Sequence, residues 1–224
     1  MEIYDTEEEQ IAAIKRWWKE NGTSTIIGVI AGILIISGWN YWQDQQQDKA
    51  IQTASLFNEL WLNINEENQD AVEKITERIV EQDSTSSYAS FSQLLLAKTK
   101  VQQGELEAAK GILEKLMLDA RSAELRNIAR IRLIKILQAM GEYEQGLQLI
   151  AEVDQSTTQG FSASYDELTG DLYVALDRLA EARTAYQSAL REGAKSPLLQ
   201  FKLDDITAAE IIGNNEASTL LNEK

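Results

Sequence analysis

An uncharged stretch of 23 residues, Asn21 to Gln43, constrains the fold of this chain more than any other feature. A helix of that length reaches about 34 Å, which is enough to cross the roughly 30 Å hydrocarbon core of a bilayer. Its centre, Ile26 to Ile36, is apolar apart from two glycines. Aromatic side chains, which favour the two membrane interfaces, flank the stretch on both sides at Trp17, Trp18, Trp39, Tyr41 and Trp42. The sequence therefore predicts one transmembrane helix over residues 23–43.

The same stretch could in principle be a buried core helix or a cleaved signal peptide. A core helix has no need of aromatic residues at both ends. A signal peptide begins with a short basic segment and ends at small residues. Here twenty residues rich in acid come first, and the letters GWNYWQD follow the apolar centre. We therefore expect an uncleaved anchor.

The lysines and arginines near the ends of the span predict its orientation. Three bases precede the span and one follows closely: Lys15, Arg16, Lys19 and then Lys49. Bases remain on the cytoplasmic side, and acids contribute little to this rule. The prediction is a single-pass, type II membrane protein, whose C-terminal domain would be periplasmic in a bacterium. Its parts are a cytoplasmic tail over 1–22, the transmembrane helix over 23–43 and a periplasmic domain over 44–224.

Two glycines within the span, Gly28 and Gly32, are separated by three residues. Small residues at this spacing allow a second membrane helix to approach closely. The same spacing is also frequent in membrane helices that have no partner. The pair is therefore a candidate packing site, with an ordinary lipid-facing helix as the alternative.

The composition of the remaining chain limits its chemistry. The absence of cysteine and histidine removes thiol nucleophiles, disulfides, Cys/His zinc sites and the commonest general base. No phosphate loop or dinucleotide fingerprint is present, and the acidic runs Glu7-Glu8-Glu9 and Glu66-Glu67 lack the pattern of a calcium loop. Residues 44–224 carry 30 acids and 18 bases, so nucleic acid and acidic lipid are poor partners. We expect a protein that is not an enzyme, with no catalytic, cofactor-binding or metal-binding residues.

The segment after the span repeats a pattern typical of helical hairpins. Three copies share a turn residue (Gly104, Gly141, Asp177), an apolar residue two later (Leu106, Tyr143, Leu179) and a small residue five later (Ala109, Gly146, Ala182). A small residue is required where two helices cross closely. The period is 36 or 37 residues, and a single proline, Pro197, leaves long helices unbroken. The sequence predicts stacked hairpins, with an irregular helical bundle as the alternative.

The third copy resembles the tetratricopeptide repeat. The residues that match its signature are Leu168, Gly170, Tyr173, Leu179, Ala182, Tyr186 and Ala189. The other copies are degenerate, and the segment 50–83 is a further, weaker candidate. The predicted fold class is therefore all-α, with a single N-terminal transmembrane helix followed by a tetratricopeptide-like helical-hairpin solenoid.

Local signals add detail to this prediction. Ser164 and Glu167 have the spacing of a capping box, Ser196 and Pro197 that of a helix start, and 155–160 the composition of a linker. The first helix of the domain is expected to bury one apolar face, formed by Ala50, Ile51, Ala54, Phe57, Leu60, Trp61 and Ile64. A curved solenoid usually binds a peptide or helix on its concave face. The candidate apolar contacts, for each of which the core is the favoured alternative, are Tyr88, Phe91, Tyr165 and Phe201.

The chain as a whole is similar to the YfgM-type ancillary subunits of the bacterial SecYEG translocon. The similarity is most specific in residues 1–62, in the opening MEIYDTEEEQIAAIKRWWKENG, in GWNYW and in ASLFNELW. It implies association with the SecYEG channel and with a membrane-anchored prolyl-isomerase-like chaperone. It also implies a chaperone-type role for exported polypeptides at the inner membrane. A membrane-anchored scaffold for envelope assembly, with fixed folded partners, is the alternative.

We predict that the C-terminus lies in the periplasm. An alkaline phosphatase fused there should be active, because this enzyme folds only after export and the three bases before Asn21 hold the N-terminus inside. The measurement is phosphatase activity in cells, with a cytoplasmic-type reporter at the same position as control. If only the cytoplasmic reporter were active, the C-terminus would be cytoplasmic and the predicted orientation would be wrong.

Overall fold

The computed structural model describes residues 7–65, 68–194 and 196–207. The described helices are α1 (Glu7–Asn65), α2 (Gln69–Gln82), α3 (Ser87–Gln102), α4 (Leu106–Asp119), α5 (Ala123–Met140), α6 (Tyr143–Ala151), α7 (Ser162–Ala175), α8 (Leu179–Arg191) and α9 (197–207). A short 3-10 helix, Gln155–Thr157, lies in the predicted linker. The described secondary structure is helical throughout, which confirms the all-α class. Residues 1–6 of the predicted tail, Glu66-Glu67 and residues 208–224 lie outside the described part.

The chain forms two units, Met1–Thr53 and Ala54–Lys224. In the first unit, α1 carries the one segment of the described residues that is long and apolar enough to cross a membrane. Its large apolar side chains between Ile26 and Ile36 are 50–72% exposed, as they would be in a helix surrounded by lipid. A Cβ atom added at Gly28 or Gly32 would have no neighbour within 4 Å. Helix packing at this glycine pair remains a prediction.

Each predicted hairpin turn in the second unit is confirmed by its backbone. Gly104, Gly141 and Asp177 have left-handed φ values of 79°, 81° and 59°. A left-handed residue ends a helix and reverses the chain, and it favours glycine because a Cβ atom is crowded in this region. Helices α4, α6 and α8 then begin two residues later, at the predicted apolar positions. The paired helices are α3 with α4, α5 with α6, and α7 with α8.

The predicted small residues are buried where the helices meet. Ala109 and Ala182 are fully buried, and a Cβ atom at Gly146 would lie 3.0 Å from Leu172 Cδ1. The closest approach is at Gly170 in α7, where a Cβ atom would lie 2.2 Å from Tyr186 Cε1 in α8. Real Cβ atoms essentially never come so close to a ring atom. The glycine therefore sets the spacing of the third hairpin.

The end of α1 contributes to the core of the second unit. Leu56 and Leu60 share a core cluster with residues of α2, namely Val72, Ile75 and Ile79. The predicted apolar face was wrong for Ala50, which is exposed, and for Ile51 and Trp61, which are more than half exposed. Successive residues of a helix turn by about 100°, so Ile51 lies on the side opposite Leu60 and Trp61 lies about a quarter turn away.

One of the two predicted helix starts is correct. Residues 197–207 are helical from Pro197 onward, and the Ser196 carbonyl accepts a hydrogen bond from the Leu199 N–H. The capping box at Ser164 was wrong, because α7 begins at Ser162 and Ser164 lies inside it. The Phe161 carbonyl accepts the N–H groups of both Ser164 and Tyr165, which starts the helix earlier.

Polar contacts hold α9 against the third hairpin. The Lys202 ammonium lies 2.7 Å from Asp171 Oδ1 and 2.8 Å from Glu167 Oε1, and Tyr186 donates its hydroxyl to Asp171 at 2.8 Å. Burial lowers the pKa of Lys202, but these hydrogen bonds raise it by more, so the net pKa lies above its usual value. Burial and the same carboxylate raise the pKa of Tyr186. The lysine therefore stays charged throughout the physiological pH range.

We expect Gly170→Ala to destabilise the repeat domain and Gly111→Ala to stabilise it. The first places a methyl carbon 2.2 Å from Tyr186 Cε1, and overpacking of this kind costs about 1–3 kcal/mol or more. The second fills open space on the exposed side of α4, where alanine is better than glycine by about 0.5–1 kcal/mol. Thermal unfolding of residues 44–224, followed by circular dichroism, measures both changes. Equal melting temperatures for the two variants would contradict the close crossing.

Candidate protein-binding surface

The described residues hold no cluster of three or more acidic side chains placed to bind a metal ion. Several acids that lie near one another already contact lysines. Lys100 binds Glu73 and Glu105 at 3.0 Å, and Lys110 binds Glu142 at 2.6 Å. Hydrogen bonds to these carboxylates raise the pKa values of both lysines. These pairs join neighbouring helices of the solenoid, so their role is structural.

An apolar groove of about 270 Å³ runs along α3, α4 and α5. Its apolar lining consists of Leu94, Ala97, Val101, Leu106, Leu113, Ile136 and Ala139. Val101 remains 41% exposed, so the groove presents apolar surface to solvent. Open apolar grooves between helices are the usual docking sites for a helix or peptide of a partner.

Three basic side chains line the same groove: Lys98 of α3 and Arg132 and Lys135 of α5. All three are exposed. The lining includes no acidic residue, and the salt bridges found within the described part of the chain are made by other bases. The groove therefore carries positive charge on a domain whose net charge is negative.

Two further grooves lie elsewhere on the domain and have a different charge. The groove along α4, α5 and α6 is about 360 Å³ and includes Glu114 and Glu152, with Leu118 at its edge. The groove along α2, α3 and α4 is about 300 Å³, and in it Lys100 and Lys115 are balanced by Glu73 and Glu77. Neither combines an apolar lining with uncompensated basic charge.

A cavity of about 540 Å³ lies where α6, α7 and α8 meet the linker. Its lining includes Asp166, Glu192 and Tyr165. The Tyr165 hydroxyl donates to Asn127 Oδ1 at 2.7 Å, and Asn127 Nδ2 donates to the Thr157 carbonyl at 2.7 Å. Burial raises the pKa of the Tyr165 phenol. The polar atoms of this hydrogen-bond network are paired with one another. We therefore interpret the network as a structural contact that holds the linker in place.

The four aromatic residues predicted as possible contacts do not form one surface. Tyr165 is buried in the core, whereas Tyr88, Phe91 and Phe201 are exposed. Tyr88 packs on Phe57, with ring centroids 5.4 Å apart. The basic groove was not predicted from the sequence, although a signal was present. Residues 121–135 contain one acid, Glu124, and five bases: Arg121, Arg126, Arg130, Arg132 and Lys135.

A family profile described as tetratricopeptide repeat-like domain matches residues 15–208. This chain belongs to that family. Solved structures of similar fold include Pseudomonas aeruginosa pilF, with a TM-score of 0.59 and 15% identity over 72% of this chain and 70% of that chain. The MamA RS-1 structure gives a TM-score of 0.53 and 14% identity, over 75% of this chain and 91% of that one. At such low identity these likenesses concern the fold alone.

Curated relatives of this tetratricopeptide repeat-like protein are named Ancillary SecYEG translocon subunit. The Haemophilus influenzae protein is 28% identical over 206 residues, which cover 91% of this chain and 99% of the relative. The Escherichia coli protein is 26% identical over 210 residues, or 92% and 100% of the two chains. The Neisseria gonorrhoeae protein is 23% identical and covers 89% and 97%. The family resemblance identified from the sequence is confirmed.

We predict that Asn127→Ala lowers the free energy of unfolding of the repeat domain by about 2–4 kcal/mol. The change leaves the Tyr165 hydroxyl and the Thr157 carbonyl without their partner, and each buried polar group left unpaired costs about 1–3 kcal/mol. Gln148→Ala is the control, because the Gln148 amide binds Glu152 on the exposed surface. Urea unfolding of residues 44–224 measures both. A loss no larger than that of the control would show that the network does not stabilise the linker.

Proposed function

We propose that this chain is an ancillary subunit of the SecYEG translocon in a bacterial inner membrane. The observation that carries the proposal is the extent of the alignment with its relatives. The alignments to the Haemophilus influenzae and Escherichia coli proteins take in the apolar N-terminal helix and the repeats together, over nearly the full length of both chains. The combination of anchor and repeat domain is therefore shared, and not the repeat fold alone.

In the proposed arrangement residues 1–22 are cytoplasmic, residues 23–43 span the membrane and residues 44–224 lie in the periplasm. The positive-inside pattern of the basic residues supports this orientation. The repeat domain then faces the side of the channel from which exported polypeptides emerge. Its proposed role there is of the chaperone type and not enzymatic. It binds exported chains and a membrane-anchored prolyl-isomerase-like chaperone.

The anchor and the domain have different tasks in this proposal. Recognition belongs to the domain, which offers open apolar grooves along its helices. The anchor confines the domain and its partners to one membrane. Confinement multiplies apparent affinity by about 10²–10⁴ without any new contact, so moderate affinity at the domain surface is sufficient.

The proposal predicts that an unrelated membrane helix can replace residues 23–43 without loss of the translocon. SecYEG should still co-purify from detergent-solubilised membranes, because the domain and not the span carries recognition. Gly28→Leu with Gly32→Leu is the matched variant, since it leaves the rest of the span intact and blocks only close helix packing. If SecYEG is lost in both variants while the domain stays folded, recognition lies in the membrane helix.

In-cell crosslinking from the domain distinguishes the two roles considered for it. A chaperone-type subunit should be attached to many different exported polypeptides, together with SecYEG. A scaffold should be attached to one or two folded proteins and to no nascent chains. The second result would replace the chaperone-type role by envelope assembly.

A further inference from the structure

We infer that the groove along α3, α4 and α5 binds an acidic amphipathic segment of a partner polypeptide. This inference rests on the proposed function as a protein-binding module, and it specifies the surface and the chemistry of the partner. The segment would place apolar side chains on the floor of the groove and carboxylates beside Lys98, Arg132 and Lys135.

The repeat itself places two of these bases on the same surface. Lys98 lies six residues before the turn glycine Gly104, and Lys135 lies six residues before Gly141. The two lysines therefore occupy the same position in successive hairpins, and both line the groove. Arg132 lies three residues before Lys135, on the same face of α5.

The third hairpin shows what happens when the charge at this position is compensated within the chain. Asp171 lies six residues before the turn residue Asp177, and it binds Lys202 at 2.7 Å. The corresponding Lys98 and Lys135 form no salt bridge with another described residue. The basic charge at the first two hairpins is thus left available for a partner.

The dimensions of the groove suit a short helix. Its lining on α3 extends from Leu94 to Gln102, a rise of about 12 Å. That length accepts roughly two turns of a helix, enough for three or four apolar side chains at steps of three and four residues. The apolar floor favours a polypeptide with an apolar face over a simple anion, because burial of apolar surface then adds to the charge attraction.

The rest of the domain makes the groove selective. With 30 acids against 18 bases in residues 44–224, the net charge of the domain repels an acidic segment, whereas the uncompensated bases beside the groove attract it locally. Each exposed ion pair contributes little alone, but three of ordinary strength together change affinity by about tenfold. The same interactions weaken when salt screens them.

The test uses the full chain in nanodiscs of zwitterionic lipid and two fluorescent peptides of about 18 residues. Both peptides carry the same leucines on one helical face, and their polar face carries either glutamate or lysine. Fluorescence anisotropy, with binding to empty nanodiscs subtracted, should give about tenfold tighter binding of the glutamate peptide. High salt should reduce the difference. Equal affinity of the two peptides would overturn the inference.

Charge reversal locates the binding surface. Lys98→Glu, Arg132→Glu and Lys135→Glu together should abolish the preference for the glutamate peptide. The matched control, Lys74→Glu, Arg78→Glu and Lys115→Glu, makes the same change of charge at exposed positions outside this groove and should leave binding within about twofold. The neutral variant Lys98→Gln, Arg132→Gln and Lys135→Gln retains most of each side chain and replaces the first if that variant does not fold. If the control variant lost the preference for the glutamate peptide to the same extent, the preference would depend on net charge alone.

Two further measurements are decisive. If the full chain binds neither peptide but a chain ending at residue 207 binds the glutamate peptide, the occupant is this chain's own C-terminal segment, and the partner inference is wrong. Co-purification of SecYEG with the charge-reversed chain separates this inference from the proposed function. SecYEG retained with peptide binding lost supports the groove as a separate site. If SecYEG does not co-purify with the wild-type chain either, the proposed function is refuted.

Discussion

The close crossing of paired helices is the constraint on which the repeat domain depends. At Gly170 the backbone of α7 lies so near the Tyr186 ring that no side chain fits between them. Gly146 in α6 makes a close approach between hairpins, to Leu172 in α7, and Ala109 and Ala182 are fully buried at the corresponding repeat positions. In each hairpin the left-handed turn residue lies five positions before the small residue, which is Ala109, Gly146 or Ala182. The spacing of the helices and their rotational phase are therefore set together.

That fixed phase also decides where charge is found. A residue six positions before each turn always falls on the same side of the stack, so the sequence can place a lysine there twice and an aspartate once. In the third hairpin the aspartate binds Lys202 and Tyr186 and thereby holds α9 in place. In the first two the lysines remain beside an apolar groove. The same repeat position therefore forms a structural contact with α9 in the third hairpin and lines an open groove in the first two.

The sequence predicted most of the fold because its strongest signals are local. The uncharged stretch, the turn residues Gly104 and Gly141 and the small residues after them each act within a few positions along the chain, and their places in the structure agree with the prediction. One error is a competition between local helix starts, and the other lies where tertiary contacts decide. Ser164 was assigned as a cap, but the Phe161 carbonyl starts α7 earlier. The candidate groove was missed because it combines residues 94–102 with residues 132–139, and a net charge of the whole domain hides a local excess of bases.

The anchor and the groove together suggest why neither needs to bind strongly. An apolar groove that bound tightly would also hold the domains of neighbouring copies or any partly folded chain, since apolar burial is not selective. Exposed bases add selectivity at small cost in affinity, because ion pairs at a surface are weak and reversible. Confinement to the membrane then restores the apparent affinity for partners held in the same bilayer. In the proposed function each polypeptide must be released, and this division suits that requirement, because confinement raises apparent affinity and the charged groove determines which segments bind.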